Sequence, residues 1–115
     1  KVWSAHLSSV PCFCMPATTR VPLGLVMNDA SRAAETAVKA LDRIRGRPSS
    51  GTVRGVVKVA PAWEGRGVWL FTSQEELASA MNTALQAGHQ THCFVQDLVE
   101  EVAMEIRLHV VEGEV

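Results

Sequence analysis

Lys58 is the residue of this sequence whose surroundings point most clearly to chemistry. It lies within the apolar run Val56-Val57-Lys58-Val59. A lysine is costly to bury unless its ammonium emerges beside an anion. Judged from this run alone, Lys58 could equally extend its side chain to water from the edge of a strand. The sequence therefore predicts either a negative ligand near Lys58 or an exposed strand edge.

A glycine-bearing loop follows this lysine. Gly65 and Gly67 flank Arg66 just before the next apolar run. Backbone N–H groups beside glycines can turn toward a phosphate without interference from a Cβ atom, and Arg66 adds positive charge. A Gly-x-Gly also occurs in plain turns. Neither the Rossmann nor the Walker A pattern is present, since this loop joins two strands instead of leading into a helix.

Composition excludes several other classes of function. The 115 residues suffice for one domain with a single core. A net charge of -1 and a pI near 6.5 argue against nucleic-acid binding. The apolar stretch 21–27 is interrupted by Pro22 and Gly24 and is far shorter than the roughly 20 residues of a membrane span. The first residues lack the order of a signal peptide, so we expect no export and no membrane partner.

Cysteine and histidine usage predicts neither a disulfide framework nor a metal centre. The three cysteines, Cys12, Cys14 and Cys93, cannot all pair within the chain, which fits a reducing compartment and a cytoplasmic location. These cysteines with His89 and His92 could supply metal ligands, but their spacing is not that of a zinc finger. We expect no metal site among these residues and no cysteine nucleophile.

Two amphipathic helices must position the chemistry. From Ala30 to Ile44 apolar residues recur at helical spacing, and Asn28 or Asp29 can cap the start. Gly46 marks the end of this helix, where the basic residues are expected to be solvated. The second helix starts at a capping box of Ser73 and Glu76 and stops at Gly88.

Strands are predicted around these helices at 18–21, 53–59, 68–72, 92–99 and 104–111. Those at 53–59 and 68–72 read as an antiparallel hairpin whose tip carries the glycine loop. In the last strand Glu105, Arg107 and His109 share one face. The fold class is therefore α+β: a small antiparallel β-sheet with two helices on one face, its opposite face left free for a ligand.

Five motifs follow one another along the chain: Val57-Lys58, Gly65-Arg66-Gly67-Val68, Ser73-Gln74-Glu75-Glu76-Leu77, Phe94-Val95-Gln96-Asp97-Leu98-Val99 and Glu105-Ile106-Arg107. In this combination the chain resembles the ATP-grasp superfamily, which includes glutathione synthetase, D-alanine ligases and tubulin tyrosine ligase-like enzymes. The resemblance covers nearly the whole chain. It implies an ATP-grasp N-terminal lobe: residues 17–99 form the small nucleotide-binding subdomain with the hinge, 1–16 end a preceding segment and 100–115 begin a truncated second lobe. We therefore expect this chain to be an excerpt of a longer protein.

The resemblance also implies the site residues. The ATP phosphates would be contacted by Lys58, by the loop and by an earlier family lysine; these residues are Lys58, Gly65, Arg66, Gly67 and Lys1. Adenine would bond to main-chain groups of the hinge, formed by Gln96, Asp97, Leu98 and Val99. Glu105 would reach the ribose hydroxyls, and Arg107 would be the catalytic arginine near the phosphates. A ligand-free ion pair between Glu105 and Arg107 is the alternative.

One departure from the family pattern stands in the loop. Trp63 and Glu64 are bulky and acidic where many relatives carry small residues, and a carboxylate beside phosphate is unfavourable. The Mg2+ ligands of the family are expected outside these 115 residues.

The function that the resemblance implies is ATP-dependent ligation of a carboxylate to an amine or thiol through an acylphosphate. The partners would be ATP and a small-molecule or peptide carboxylate, and the 115 residues alone are expected to be inactive. A noncatalytic ATP-grasp-like binding or assembly module is the second hypothesis. An unrelated α+β domain that matches by chance is the third.

Overall fold

Seven elements build the part of the chain that the computed structural model describes, which is residues 15–48, 53–60, 66–88 and 90–100. They are β1 (Thr18–Pro22), α1 (Leu23–Asn28), α2 (Ala30–Arg45), β2 (Gly55–Val59), β3 (Val68–Phe71), α3 (Gln74–Gln86) and β4 (His92–Asp97). The predicted α+β class is confirmed. The predicted strand at 104–111 lies outside the described residues.

The four strands form one antiparallel sheet in the order β1-β4-β2-β3. Lys58 of β2 is paired with Phe94 of β4 on one side and with Val68 of β3 on the other. The predicted hairpin of β2 and β3 is confirmed, although β2 begins at Gly55 instead of 53. Because β4 lies between β1 and β2, the end of β4 that leads to the predicted hinge is held on both sides.

The core lies between the helices and one face of this sheet. Alternate strand residues point to the helices, and Val57, Phe71 and Val95 have no exposed surface. They pack with Leu41 of α2 and Leu77 of α3, which are equally buried. Alanines at other inward positions of the helices keep α2 and α3 close to the sheet; these are Ala33, Ala34, Ala37, Ala80 and Ala84.

Both long helices begin as their capping residues predict. The Asp29 carboxylate accepts a hydrogen bond from the Arg32 N–H at 3.0 Å. The Ser73 hydroxyl accepts one from the Glu76 N–H at 3.1 Å. The Glu76 carboxylate reaches one residue beyond a standard capping box, to the N–H and hydroxyl of Thr72 at 2.6 and 2.7 Å. These bonds from Thr72 lower the pKa of Glu76.

The helical layer is larger than predicted. α1 was not expected, because its six residues are too few for helical periodicity to stand out and Pro22 reads as a break. Leu23 and Val26 of α1 are buried against the core, so three helices cover this face. None of the helices in the described ranges has both the length and the apolar character needed to cross a membrane.

Candidate functional site

The Lys58 side chain lies on the sheet face that points away from the helices. Its neighbours in sequence, Val57 and Val59, are buried toward the helical layer, and alternation along the strand sends Lys58 the other way. Its Nζ donates a hydrogen bond to Oε1 of Gln96 at 2.6 Å, and the residue is half-buried. Within the described ranges Lys58 forms no ion pair, so its partner there is a neutral amide.

A row of hydrogen bonds runs from Lys58 on β2 across β4 to β1. Gln96 Nε2 donates to Thr18 Oγ1 at 2.9 Å, and Thr18 Oγ1 donates to the Pro16 carbonyl at 2.9 Å. Gln96 and Thr18 are buried, with 9% and 3% of their surface exposed. An ammonium can only donate and a carbonyl can only accept, so the direction of every bond in this row is fixed from both ends.

The strand positions on this face carry positive charge. Arg20 and Lys58 are the register partners of Phe94 on its two sides, and His92 lies two residues before Phe94 on the same face. None of the described strand residues that share this face is acidic. The carboxylate of β4, Asp97, points toward the helical side, where it meets Arg45. The face is therefore suited to an anion more than to a cation.

This face is covered over part of its width, which corrects the expectation that it is free. Phe94 is 4% exposed, and Thr18 and Gln96 are buried as well. On β3, by contrast, Val68 and Leu70 are 38% and 60% exposed. The polar side chains tolerate burial because they bond to one another. The accessible parts of the face are the half toward β3 and the exposed residues Arg20 and Pro22 of β1.

The hairpin loop begins and ends beside Lys58. Gly67 has a φ of 70°, in the left-handed region that favours glycine, and its carbonyl accepts a hydrogen bond from the Val59 N–H at 3.0 Å. Arg66 is exposed next to it. Gly65, Trp63 and Glu64 lie outside the described residues, so the predicted contact of this loop with phosphate stays a prediction.

Main-chain donors of the predicted hinge already have partners in the protein. The Asp97 N–H donates to the Ala17 carbonyl at 2.9 Å, and the Leu98 N–H donates to the Arg54 carbonyl at 3.4 Å. An adenine edge at this hinge would therefore have to use carbonyl groups or the N–H of Val99. Val99 as a residue is 52% exposed.

Arg45 is not a solvated helix end as expected. Its side chain is 17% exposed, and Nε donates to Asp97 Oδ2 at 2.7 Å while Nη2 donates to Asp97 Oδ1. Nη1 donates to Asp42 Oδ1 at 2.6 Å. The hydrogen bonds from Arg45 to Asp97 raise the pKa of the guanidinium. This forked pair ties the end of α2 to the end of β4, whereas Arg43 and Arg47 are exposed as predicted.

Four other predicted site residues lie outside the described residues: Lys1, Gly65, Glu105 and Arg107. Their roles stay predictions. The structure adds one site residue that sequence reasoning missed in this role, the Gln96 side chain, which was expected only to contribute main-chain groups to the hinge. No local sequence signal marks it, because its contact with Lys58 depends on the register of β2 and β4.

The described ranges contain no group of three or more His, Cys, Asp or Glu side chains that could hold a metal ion. A surface cavity of about 290 Å³ opens instead at the junction of α1 and α2. Its lining residues are Leu25, Asn28, Asp29, Arg32, Ala33 and Thr36. It lies on the helical layer, on the other side of the sheet from Lys58.

Cys93 is expected to be chemically inert in the native protein. Burial raises the pKa of its thiol to about 12, and no part of the residue is exposed. In a Cys12→Ser, Cys14→Ser variant we expect iodoacetamide at pH 8 to leave Cys93 unmodified, and to alkylate it once guanidinium chloride unfolds the chain. Since the folded pKa lies above the ordinary 9.0, the stability contributed by the neutral thiol is complete below about pH 9 and lost as the pH rises toward 12. Native alkylation at the rate of the unfolded chain would contradict this.

Comparison with known proteins adds no family. No protein family model, no curated protein and no solved structure matches this chain.

Proposed function

We propose that this chain is the ATP-binding lobe of an ATP-dependent carboxylate-amine or carboxylate-thiol ligase of the ATP-grasp type, active in the cytoplasm. Support comes from the Lys58 ammonium, which lies on a positively charged sheet face and is held over the central strand β4 by a neutral amide. Among the residues that the structure describes, this ammonium pairs with no carboxylate, so its charge is available to a ligand.

The residues of this face fit a phosphate better than they fit adenine. Lys58 would meet the phosphates as a point charge, and the exposed Arg66 beside Gly67 would add a second donor from the loop. The hinge offers fewer free donors, because the N–H groups of Asp97 and Leu98 are engaged. When bound, ATP would supply the phosphoryl group that activates a carboxylate. This chain's own part is to bind and orient the triphosphate, and Mg2+ ligands would come from elsewhere in the protein.

The proposal is tested on the natural full-length protein. We expect ATP to raise the melting temperature in the presence of Mg2+, because a ligand that binds only the folded state stabilises it. Inorganic phosphate at the same ionic strength is the control for nonspecific anion effects. Amino acids and small carboxylic acids are then screened for ADP release that depends on both a carboxylate and an amine or thiol. No shift with ATP at millimolar concentration would overturn the proposal.

A noncatalytic ATP-grasp-like binding or assembly module is the second candidate. Two observations favour it: the N–H groups of Asp97 and Leu98 in the hinge are engaged, and Thr18, Phe94 and Gln96 on the sheet face are buried. Stabilisation by ATP without ADP release under any substrate combination would support this module. In the full-length sequence, an acidic strand residue followed by Glu-x-Asn supports the ligase, since those residues hold Mg2+ in the family that this chain resembles.

A further inference from the structure

We infer that Gln96 is a positioning residue, whose side-chain amide, anchored by Thr18, aims the Lys58 ammonium at the bound anion while leaving its charge uncompensated. The inference rests on the proposed function, since it concerns the same anion site. It gives the Gln96 side chain a role that differs from main-chain contact with adenine.

The geometry behind this inference is the fixed polarity of the hydrogen-bond row. Lys58 Nζ must donate to Gln96 Oε1, which leaves Nε2 to donate to Thr18 Oγ1. Thr18 in turn donates to the Pro16 carbonyl. The amide is therefore held at both of its ends and cannot flip without losing two bonds. A half-buried lysine side chain has many rotamers, and this acceptor selects those that place Nζ over β4.

Neutrality is the second part of the argument. A carboxylate at position 96 would accept from Lys58 more strongly than the amide does, because both groups would be charged. Glutamine differs from a carboxylate in supplying the Nε2 donor to Thr18 as well as a neutral acceptor for Lys58. A carboxylate would, however, repel an incoming phosphate and hold the ammonium in an ion pair, and both effects are larger at a partly buried site than in water. A neutral acceptor positions the lysine without this competition.

The arrangement of the face agrees with such a role. Strand neighbours of Gln96 and Lys58 on this face are uncharged or basic, so no other described strand residue there offsets the ammonium. Gln96 is buried, while Lys58 is half-buried and next to the exposed half of the face at Val68. The anchor is thus shielded from solvent, and the charge it holds is reachable.

Four variants of the full-length protein separate positioning from structural support. Gln96→Glu keeps the shape, adds a charge and removes the Nε2 donor to Thr18. Gln96→Met keeps the length and removes both the acceptor and that donor. Thr18→Val removes the hydroxyl that anchors the amide and donates to the Pro16 carbonyl, and Thr18→Ser keeps that hydroxyl. Gln74→Glu makes the same chemical change at an exposed site at the start of α3 and serves as the matched control. ATP affinity is measured by calorimetry at a temperature where each variant is fully folded by circular dichroism.

We expect Gln96→Met to weaken ATP binding about tenfold, which corresponds to the loss of one charge-assisted hydrogen bond that positions Lys58. Gln96→Glu should weaken it by about the same factor, because the carboxylate competes with the phosphate for the ammonium. Thr18→Val should weaken it about threefold, with Thr18→Ser close to wild type, and Gln74→Glu should match wild type. A purely structural Gln96 would lower the melting temperature of these variants and leave the affinity of the folded protein unchanged.

The outcomes separate the two ideas. If wild type binds ATP and Gln96→Glu binds within about twofold of it, the inference is overturned and the proposed function stands. If wild type itself does not bind, the proposed function fails and the inference fails with it. If Gln96→Met does not fold, the affinities of Thr18→Val and Thr18→Ser decide whether the anchored amide matters.

Discussion

Replacing Lys58 with methionine is expected to weaken ATP binding by the full-length protein about a hundredfold, the cost of losing a strong charge-assisted contact to phosphate. Methionine keeps the length and the apolar stem of the lysine, so packing on the sheet face is preserved. The stabilisation that ATP confers on melting should then disappear at concentrations that saturate the wild type. Calorimetric titration with ATP measures the loss directly.

Lys39→Met is the matched control for this substitution. Lys39 is exposed on α2, where its Nζ lies 2.5 Å from the Glu35 carboxylate, so its removal changes the net charge identically at a distance from the site. An exposed pair of this kind contributes little to stability. Equal losses of ATP affinity in both lysine variants would indicate a general charge effect and contradict a site at Lys58. An unchanged affinity in Lys58→Met would sink the proposed function.

Local features of this fold could be predicted because their causes are local. Asp29 and Ser73 each cap a helix through an N–H three residues ahead, and Gly46 ends α2 with a φ of 71°. These contacts depend on residues within one helical turn, so the sequence contains the whole cause. The hairpin of β2 and β3 was predictable for the same reason, since two apolar runs flank a glycine-bearing loop.

Contacts between distant residues were not predictable in the same way. Arg45 and Asp97 lie 52 positions apart, and Lys58 and Gln96 lie 38 apart. Which arginine of a basic helix end meets which carboxylate depends on where β4 ends in the sheet. The sequence pattern predicts the strands and the helix that carry these residues. Which side chains become hydrogen-bond partners depends on the strand order β1-β4-β2-β3. The same order explains why Gln96, in a central strand, is buried.

Sequence reasoning therefore singled out Lys58 of the candidate site but not the Gln96 side chain that bonds to it. A lysine within an apolar run is conspicuous in a sequence, because its burial demands an explanation. A glutamine near the end of a strand is not, since glutamine is common in many environments. Its importance appears only when the register places it opposite Val56, two residues along the ladder from Lys58 and on the same face.

The second large effect is expected at Gly55, where alanine should destabilise the protein by about 3 kcal/mol, the upper range for overpacking a well-packed interior. A Cβ at this position would lie 2.3 Å from the Gln96 carbonyl oxygen and 2.6 Å from Cζ of Phe71. Neither neighbour can yield easily. The carbonyl belongs to the central strand β4, and the Phe71 ring is fully buried over the glycine. A fall in melting temperature on the order of 10 °C or more would follow for a domain of this size.

Gly24→Ala is the control that separates this steric cause from a general effect of replacing glycine. A Cβ on Gly24 would have no atom within 4 Å, and the residue is exposed within α1. Alanine there is expected to leave stability unchanged or to raise it by about 0.5–1 kcal/mol, because it restricts the unfolded chain and favours helix. Urea unfolding of both variants measures the difference. If Gly55→Ala unfolds at the wild-type urea concentration, β2 and β4 do not approach as closely as described, and the register that brings Lys58 to Gln96 fails with them.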